Sequence, residues 1–216
     1  MAVLTPRTPI PMNKLILLTV ALTGVLFWLS SGPDIDWPVT NAPPREGLIV
    51  AFGDSLTRGK GAEPGRTYPE QLAGMLGLPI ENLGVNGQTT RGGLDALKAL
   101  VKKTPAVVII TLGGNDIIRK HPRESTFSNL EQIFRLLTGC GAMVVYAAIE
   151  PPFVSDKWVK GIRDICRNHG VLYVPDVMDG MWLDQDLMSD AIHPNSKGYE
   201  LLARRVAIRL QPLLQS

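Results

Sequence analysis

Cysteine and histidine are both scarce in this chain of 216 residues: two cysteines, Cys140 and Cys166, and three histidines, His121, His169 and His193. The cysteines form neither a CxxC motif nor a metal-ligand spacing, which removes thiol redox chemistry and a cysteine zinc site from consideration. Both fall among apolar residues in segments read as helix or helix end, where a free cysteine acts as a small buried hydrophobe. A disulfide between them stays open if the chain reaches an oxidising compartment. Charge of one sign is scarce too: the formal net charge is +2 and no basic cluster stands out, so nucleic acid is a poor candidate partner. There is no HExxH and no GxGxxG. The glycine-rich stretch 53–60 misses P-loop spacing by one residue and has Gly61 where that loop needs Ser or Thr. The GxSxG elbow is missing as well, which argues against the α/β-hydrolase fold proper. No internal repeat or low-complexity segment appears. What remains is a chain with 45% apolar and 19% charged residues, the balance of a folded domain.

One long uncharged apolar run is present. Residues 15–29 follow Arg7 and Lys14, and Ser30, Ser31, Gly32 and Pro33 come next, before the first acids at Asp34 and Asp36. A membrane-spanning helix needs about 20 residues, a length this run reaches only with the small residues behind it. Residues 1–33 therefore read as a signal peptide, cleaved near Gly32, or as an N-terminal membrane anchor. Either leaves the positive charges inside and exports everything after them. The expected location is the periplasmic or extracellular face, secreted or tethered to the inner membrane through residues 15–29. Residues 34–46, with Pro38, Pro43 and Pro44, show no helical or strand period and read as a linker. The folded domain is expected over 47–216.

Within it, continuous apolar runs alternate with helical patterns. Residues 48–52, 106–112, 142–149 and 171–174 read as buried strands, and 79–85 as a weaker one. Thr67 and Glu70 form a capping-box pattern before Leu72, Met75 and Leu76. Thr89 or Thr90 can cap a helix carrying Leu94, Leu97 and Leu100. Further helices carry Phe127, Leu130, Phe134 and Leu137; then Trp158, Ile162 and Ile165, ending at His169 and Gly170; then Tyr199, Leu202, Val206 and Leu210, with Asn195 as N-cap. Strict alternation of strand and helix predicts an α/β domain with a parallel sheet of about five strands and helices on both faces.

Polar clusters follow the predicted strands. Gly53, Asp54, Ser55, Leu56 and Thr57 follow the first, and Asn86 and Gly87 the second. Gly113, Gly114, Asn115 and Asp116 follow the third, and Asp190, Ala191, Ile192 and His193 follow the last strand and a loop. Sites of open α/β sheets form at the carboxyl ends of the strands, so these clusters should share one edge. A serine hydroxyl is a weak nucleophile and needs an adjacent base. His121 lies in a polar loop and His169 at a helix C-terminus, where positive charge suits the dipole; both are expected to face solvent. His193 follows Asp190 by three residues, a turn spacing at which the carboxylate can fix the imidazole tautomer and stabilise the imidazolium. Ser55 is thus the candidate nucleophile, His193 the base and later acid, and Asp190 the orienting group. The oxyanion would need preorganised donors: the backbone N–H of Ser55, the backbone N–H of Gly87 and the side-chain amide of Asn115. Asp54 could serve as a second acid or a metal ligand, but is expected to hold the turn presenting Ser55, and Asp116 to support Asn115. Arg119 either faces the site or is solvated. Taken singly, each cluster also reads as a turn or helix cap; their order along one sheet edge favours chemistry.

These four blocks, Gly53–Asp54–Ser55–Leu56, Gly87, Gly113–Gly114–Asn115–Asp116 and Asp190–x–x–His193, resemble those of the GDSL/SGNH hydrolases, in the same order. The chain looks most like the bacterial lysophospholipase, thioesterase and arylesterase branch, and the resemblance runs from about residue 48 to 214. It implies a single three-layer flavodoxin-like domain and a Ser-His-Asp triad with no metal and no cofactor. It also implies an exported enzyme that cuts carboxylic ester or thioester bonds. Asn86 stands where many relatives carry serine. Residues 150–153 and the loop 176–186 are expected to border the acyl or leaving-group pocket. The expected partner is a small acylated substrate such as an ester, lysophospholipid or thioester, and the expected state is a monomer. Acyl transfer to, or deacetylation of, a glycan would use the same residues, and a non-catalytic membrane-tethered module is a third reading.

Overall fold

The computed structural model describes residues 37–214; the expected signal or anchor lies outside the described residues. Among the described residues no helix is long and apolar enough to cross a membrane. Five strands are present: β1 (Ile49–Gly53), β2 (Ile80–Gly84), β3 (Val107–Thr111), β4 (Met143–Ala147) and β5 (Leu172–Val174). They form one all-parallel sheet in the order β2-β1-β3-β4-β5. The helices are α1 (Ser55–Arg58), α2 (Tyr68–Leu76), α3 (Thr90–Val101), α4 (Gly114–Ile118), α5 (Arg123–Gly139), α6 (Asp156–Asn168) and α7 (Ser196–Leu214).

Continuous apolar strands give way to two cores because successive side chains point to opposite faces. Ile49, Ala51, Val107, Ile109 and Val145 meet Tyr68 and Leu72 of α2 and Tyr199, Leu202 and Val206 of α7. Val50, Phe52, Val108, Ile110 and Val144 meet Leu97 of α3, Leu130 and Phe134 of α5, and Ile162 of α6. The result is the three-layer α/β architecture expected from the alternating pattern.

The helix starts follow the capping chemistry. Thr67 and Glu70 make both bonds of the capping box at α2, Thr89 caps α3 through the Gly92 N–H, and Asn195 Oδ1 accepts from the N–H groups of Lys197 and Gly198 at α7. Residues 37–46 lack regular structure but do not hang free. Trp37 is buried and donates to the Val171 carbonyl, Asn41 donates to the carbonyls of Thr138 and Ala142, and Arg45 donates to those of Thr104, Pro105 and Cys140. This segment straps the edge where β3, β4 and β5 begin. Both cysteines are free thiols, Cys166 buried and Cys140 partly so.

Sheet register positions the site. Gly53 pairs with Gly84 on one side and Thr111 on the other, so β1, β2 and β3 end level and their loops emerge side by side. The order reverses between β1 and β3, the switch point where open α/β sheets hold ligands.

Candidate active site

The loop after β1 turns sharply into α1. Gly53 is required there because an added Cβ would come within 2.3 Å of the Thr111 carbonyl oxygen. Asp54 caps α1, its Oδ1 accepting from the Leu56 N–H at 3.0 Å. Ser55 is the first residue of α1, so its N–H has no acceptor within the helix. Its half-buried hydroxyl meets His193 Nε2 at 2.9 Å. On the far side of the ring, Nδ1 lies 2.8 Å from each carboxylate oxygen of Asp190.

Spacing of three between Asp190 and His193 is realised as a tight turn. Met188 and Pro194 form an isolated bridge, and Asp190 Oδ1 accepts from the N–H groups of Ile192 and His193, both at 2.9 Å. A short carboxylate folded onto its own backbone in this way fixes the turn and aims the carboxylate at the ring. The imidazole is only 4% exposed, whereas the Asp190 side chain is 45% exposed. What burial Asp190 has works against its charge, but bonds from the Ile192 N–H and from His193 outweigh that and hold its carboxyl below the usual range. Lys60 Nζ approaches it at 3.9 Å.

Asn115 lies in α4 and lines the same cleft as Ser55 and His193. Its Nδ2 donates to Asp54 Oδ2 at 3.2 Å and to the Gln88 carbonyl at 3.1 Å. An amide nitrogen has two N–H groups, so both already have acceptors, through long bonds. Gly87 sits one residue before Gln88 in the turn after β2, with a φ of +73° that only glycine adopts freely. Asp54 is 2% exposed, and burial pushes its carboxyl up to about 7. Its bonds from Leu56 and Asn115 favour the charged form, and the charge on Asp116 adds to the rise. Asp116, also buried, accepts from the Thr90 N–H at 2.8 Å and the Thr90 hydroxyl at 2.7 Å, so it ties α4 to the start of α3.

Around the Ser55–His193 pair the cleft is apolar, lined by Ile117, Ile149, Pro151, Phe153, Trp182 and Ile192. Segments 150–153 and 176–186 both border it, as expected, through Pro151, Phe153 and Trp182. Glu150 instead accepts from the Tyr173 hydroxyl and from the Asp176 N–H, which holds these two segments together. Among the described residues no cluster of His, Cys, Asp and Glu could hold a metal ion. The other two histidines stand apart from the cleft. His121 Nδ1 lies 3.6 Å from Asp116 Oδ1. His169 does not face solvent: its side chain is 18% exposed and packs 3.6 Å from Glu131. Arg119, open in the sequence between facing the site and solvation, is exposed, and its Nη2 donates to the Gly87 carbonyl at 2.9 Å.

A serine hydroxyl bonded to a buried imidazole, itself backed by a carboxylate, suits nucleophilic attack on an acyl carbon. Known proteins bear the same arrangement of elements. The chain is 28% identical to an arylesterase of Vibrio mimicus over 174 residues, covering 75% of this chain and 87% of that protein. It is 27% identical to thioesterase 1/protease 1/lysophospholipase L1 of Escherichia coli strain K12, over 77% of this chain and 84% of the other. The crystal structure of TesA superposes with a TM-score of 0.72 at 26% identity, covering 78% of this chain and all of that one. Residues 51–201, which include all four loop blocks, match the family described as GDSL-like lipase/acylhydrolase. The chain belongs to the GDSL-like lipase/acylhydrolase family.

Proposed function

We propose that this protein is an exported serine esterase that cleaves carboxylic ester or thioester bonds through an acyl-Ser55 intermediate. The observation that carries the reading is the 2.9 Å contact between Ser55 Oγ and His193 Nε2 in the lining of an apolar cleft. His193 takes the hydroxyl proton as Ser55 attacks the acyl carbon, and Asp190 stabilises the imidazolium. The N–H groups of Ser55 and Gly87 and the Asn115 amide stabilise the oxyanion. When the tetrahedral adduct collapses, His193 returns the proton to the departing alcohol or thiol. Water, deprotonated by the same imidazole, then attacks the acyl-serine; the serine leaves with the proton and the carboxylic acid is released. Asn115 joins the oxyanion site by giving up one of its two long internal bonds. The names of the relatives, arylesterase and thioesterase/lysophospholipase, support an acylated substrate. The charge order at residues 7–36 supports export.

The test is hydrolysis of p-nitrophenyl esters of graded chain length by the full-length chain, with Ser55→Ala beside it. Turnover by the wild-type chain is expected to fall by at least about 10³-fold in the variant. Equal rates in the two, or no turnover of any ester by folded wild-type chain, would overturn the reading; acyl transfer to an added glycan in place of hydrolysis would replace it.

A further inference from the structure

The turn that carries Gly87 is held from one short segment. Residues four apart on a helix share a face, and Asn115 and Arg119 stand at that spacing along α4 and its C-cap. Asn115 Nδ2 donates to the Gln88 carbonyl at 3.1 Å, and Arg119 Nη2 donates to the preceding carbonyl, that of Gly87, at 2.9 Å. Between them, Asp116 accepts the Thr90 N–H at 2.8 Å. Side chains from residues 115, 116 and 119 thus fix the backbone at 88, 90 and 87. Arg119 is itself set by its N–H bond to the Asn115 carbonyl at 3.0 Å. A Cβ at Gly87 would come 3.0 Å from Arg119 Nη2, so the guanidinium lies directly against the turn.

The three tethers are not equivalent during the reaction. Asn115 has both amide N–H groups engaged, on Asp54 and on Gln88. The two acceptors are the Asp54 carboxyl, whose charge burial opposes, and the neutral carbonyl of Gln88. An Asn115 turned toward the oxyanion gives up one of these bonds, and wherever that is the bond to Gln88 the Gly87–Gln88 turn loses a tether while the Gly87 N–H must stay aimed. We infer that Arg119 is a positioning residue of the oxyanion site: by holding the Gly87 carbonyl, on the peptide that follows the Gly87 N–H, it keeps the turn fixed on the far side of the Gly87 Cα while Asn115 serves the substrate. The inference rests on the esterase reading above.

The experiment compares Arg119→Ala, Arg119→Lys and wild-type full-length chain on p-nitrophenyl acetate, a neutral ester offering no anion to the guanidinium. In Arg119→Ala, kcat is expected to fall about tenfold, the worth of one charged hydrogen bond, while KM stays within about twofold. Arg119→Lys, or millimolar guanidinium ion added to Arg119→Ala, should restore part of kcat. Arg119 is exposed, so the melting temperature of the variants should match the wild type. An unchanged kcat, a loss confined to KM, or a loss restored by neither lysine nor guanidinium would overturn the assignment. Failure of the esterase reading looks different: the wild-type chain itself would show no turnover.

Discussion

At the residue scale, the site works by setting unlike environments around three acids. Asp190 is open to solvent and held charged by its own turn and by His193. Asp116 is buried but serves the Thr90 backbone and hydroxyl. Asp54 is buried beside Ser55 and has its carboxyl pushed up from 3.8 to about 7 by burial. The sign of its effect on stability follows from linkage. With the folded pKa above the unfolded one, the folded state binds the extra proton, so the contribution is fully present below the unfolded value. It is lost as pH rises through about 7. A shift of this size corresponds to at most about 4 kcal/mol. Asp54→Asn cannot ionise, so its unfolding free energy should fall less between acid and neutral pH than that of the wild type. Denaturant titration at several pH values checks this, and parallel curves for the two proteins would contradict it.

Elements explain why some of this was legible from the sequence and some was not. β1, β3 and β4 are runs of apolar residues whose position between helical patterns identifies a doubly covered parallel sheet. The blocks at 53–57, 113–116 and 190–193 were legible because polar residues at strand ends have few structural reasons to recur. Strand lengths were less legible: β4 stops at Ala147 although apolar residues run to Ile149, because hydropathy does not mark where pairing ends. The sequence leaves Arg119 open between facing the site and solvation, since its partner is a backbone carbonyl, which carries no side-chain signature. Residues 34–46 read as a plain linker because the bonds that fasten 37–46 run from Trp37, Asn41 and Arg45 to distant carbonyls. The tie between α4 and α3 yields a prediction at this scale. Asp116→Ala leaves the buried Thr90 N–H without its acceptor and should cost about 3 kcal/mol. That corresponds to a melting temperature lower by roughly 6–12 °C for a domain of this size. Asp116→Asn, which keeps an acceptor, should lose less. A melting temperature for Asp116→Ala equal to that of the wild type would show that the tie carries no stability.

For the whole molecule, the fold brings Ser55 to an imidazole 138 residues further along the chain. It does so by ending β1, β2 and β3 level and returning the loop before α7 to the same edge. The segment ahead of the domain sets where this chemistry would take place. If residues 1–33 direct export, protein recovered from cells should lie on the outer face of the cytoplasmic membrane. Its intact mass should show either cleavage near Gly32 or the full N-terminus. A full-length chain recovered only from the cytosol would contradict export. The central claim, that Ser55 is the nucleophile of an esterase, is tested most directly by mapping the adduct left by a fluorophosphonate on the full-length chain. The account predicts one covalent adduct, on Ser55, no labelling of Ser55→Ala, and slow labelling of His193→Ala. An adduct on another residue, or equal labelling of Ser55→Ala, would contradict it.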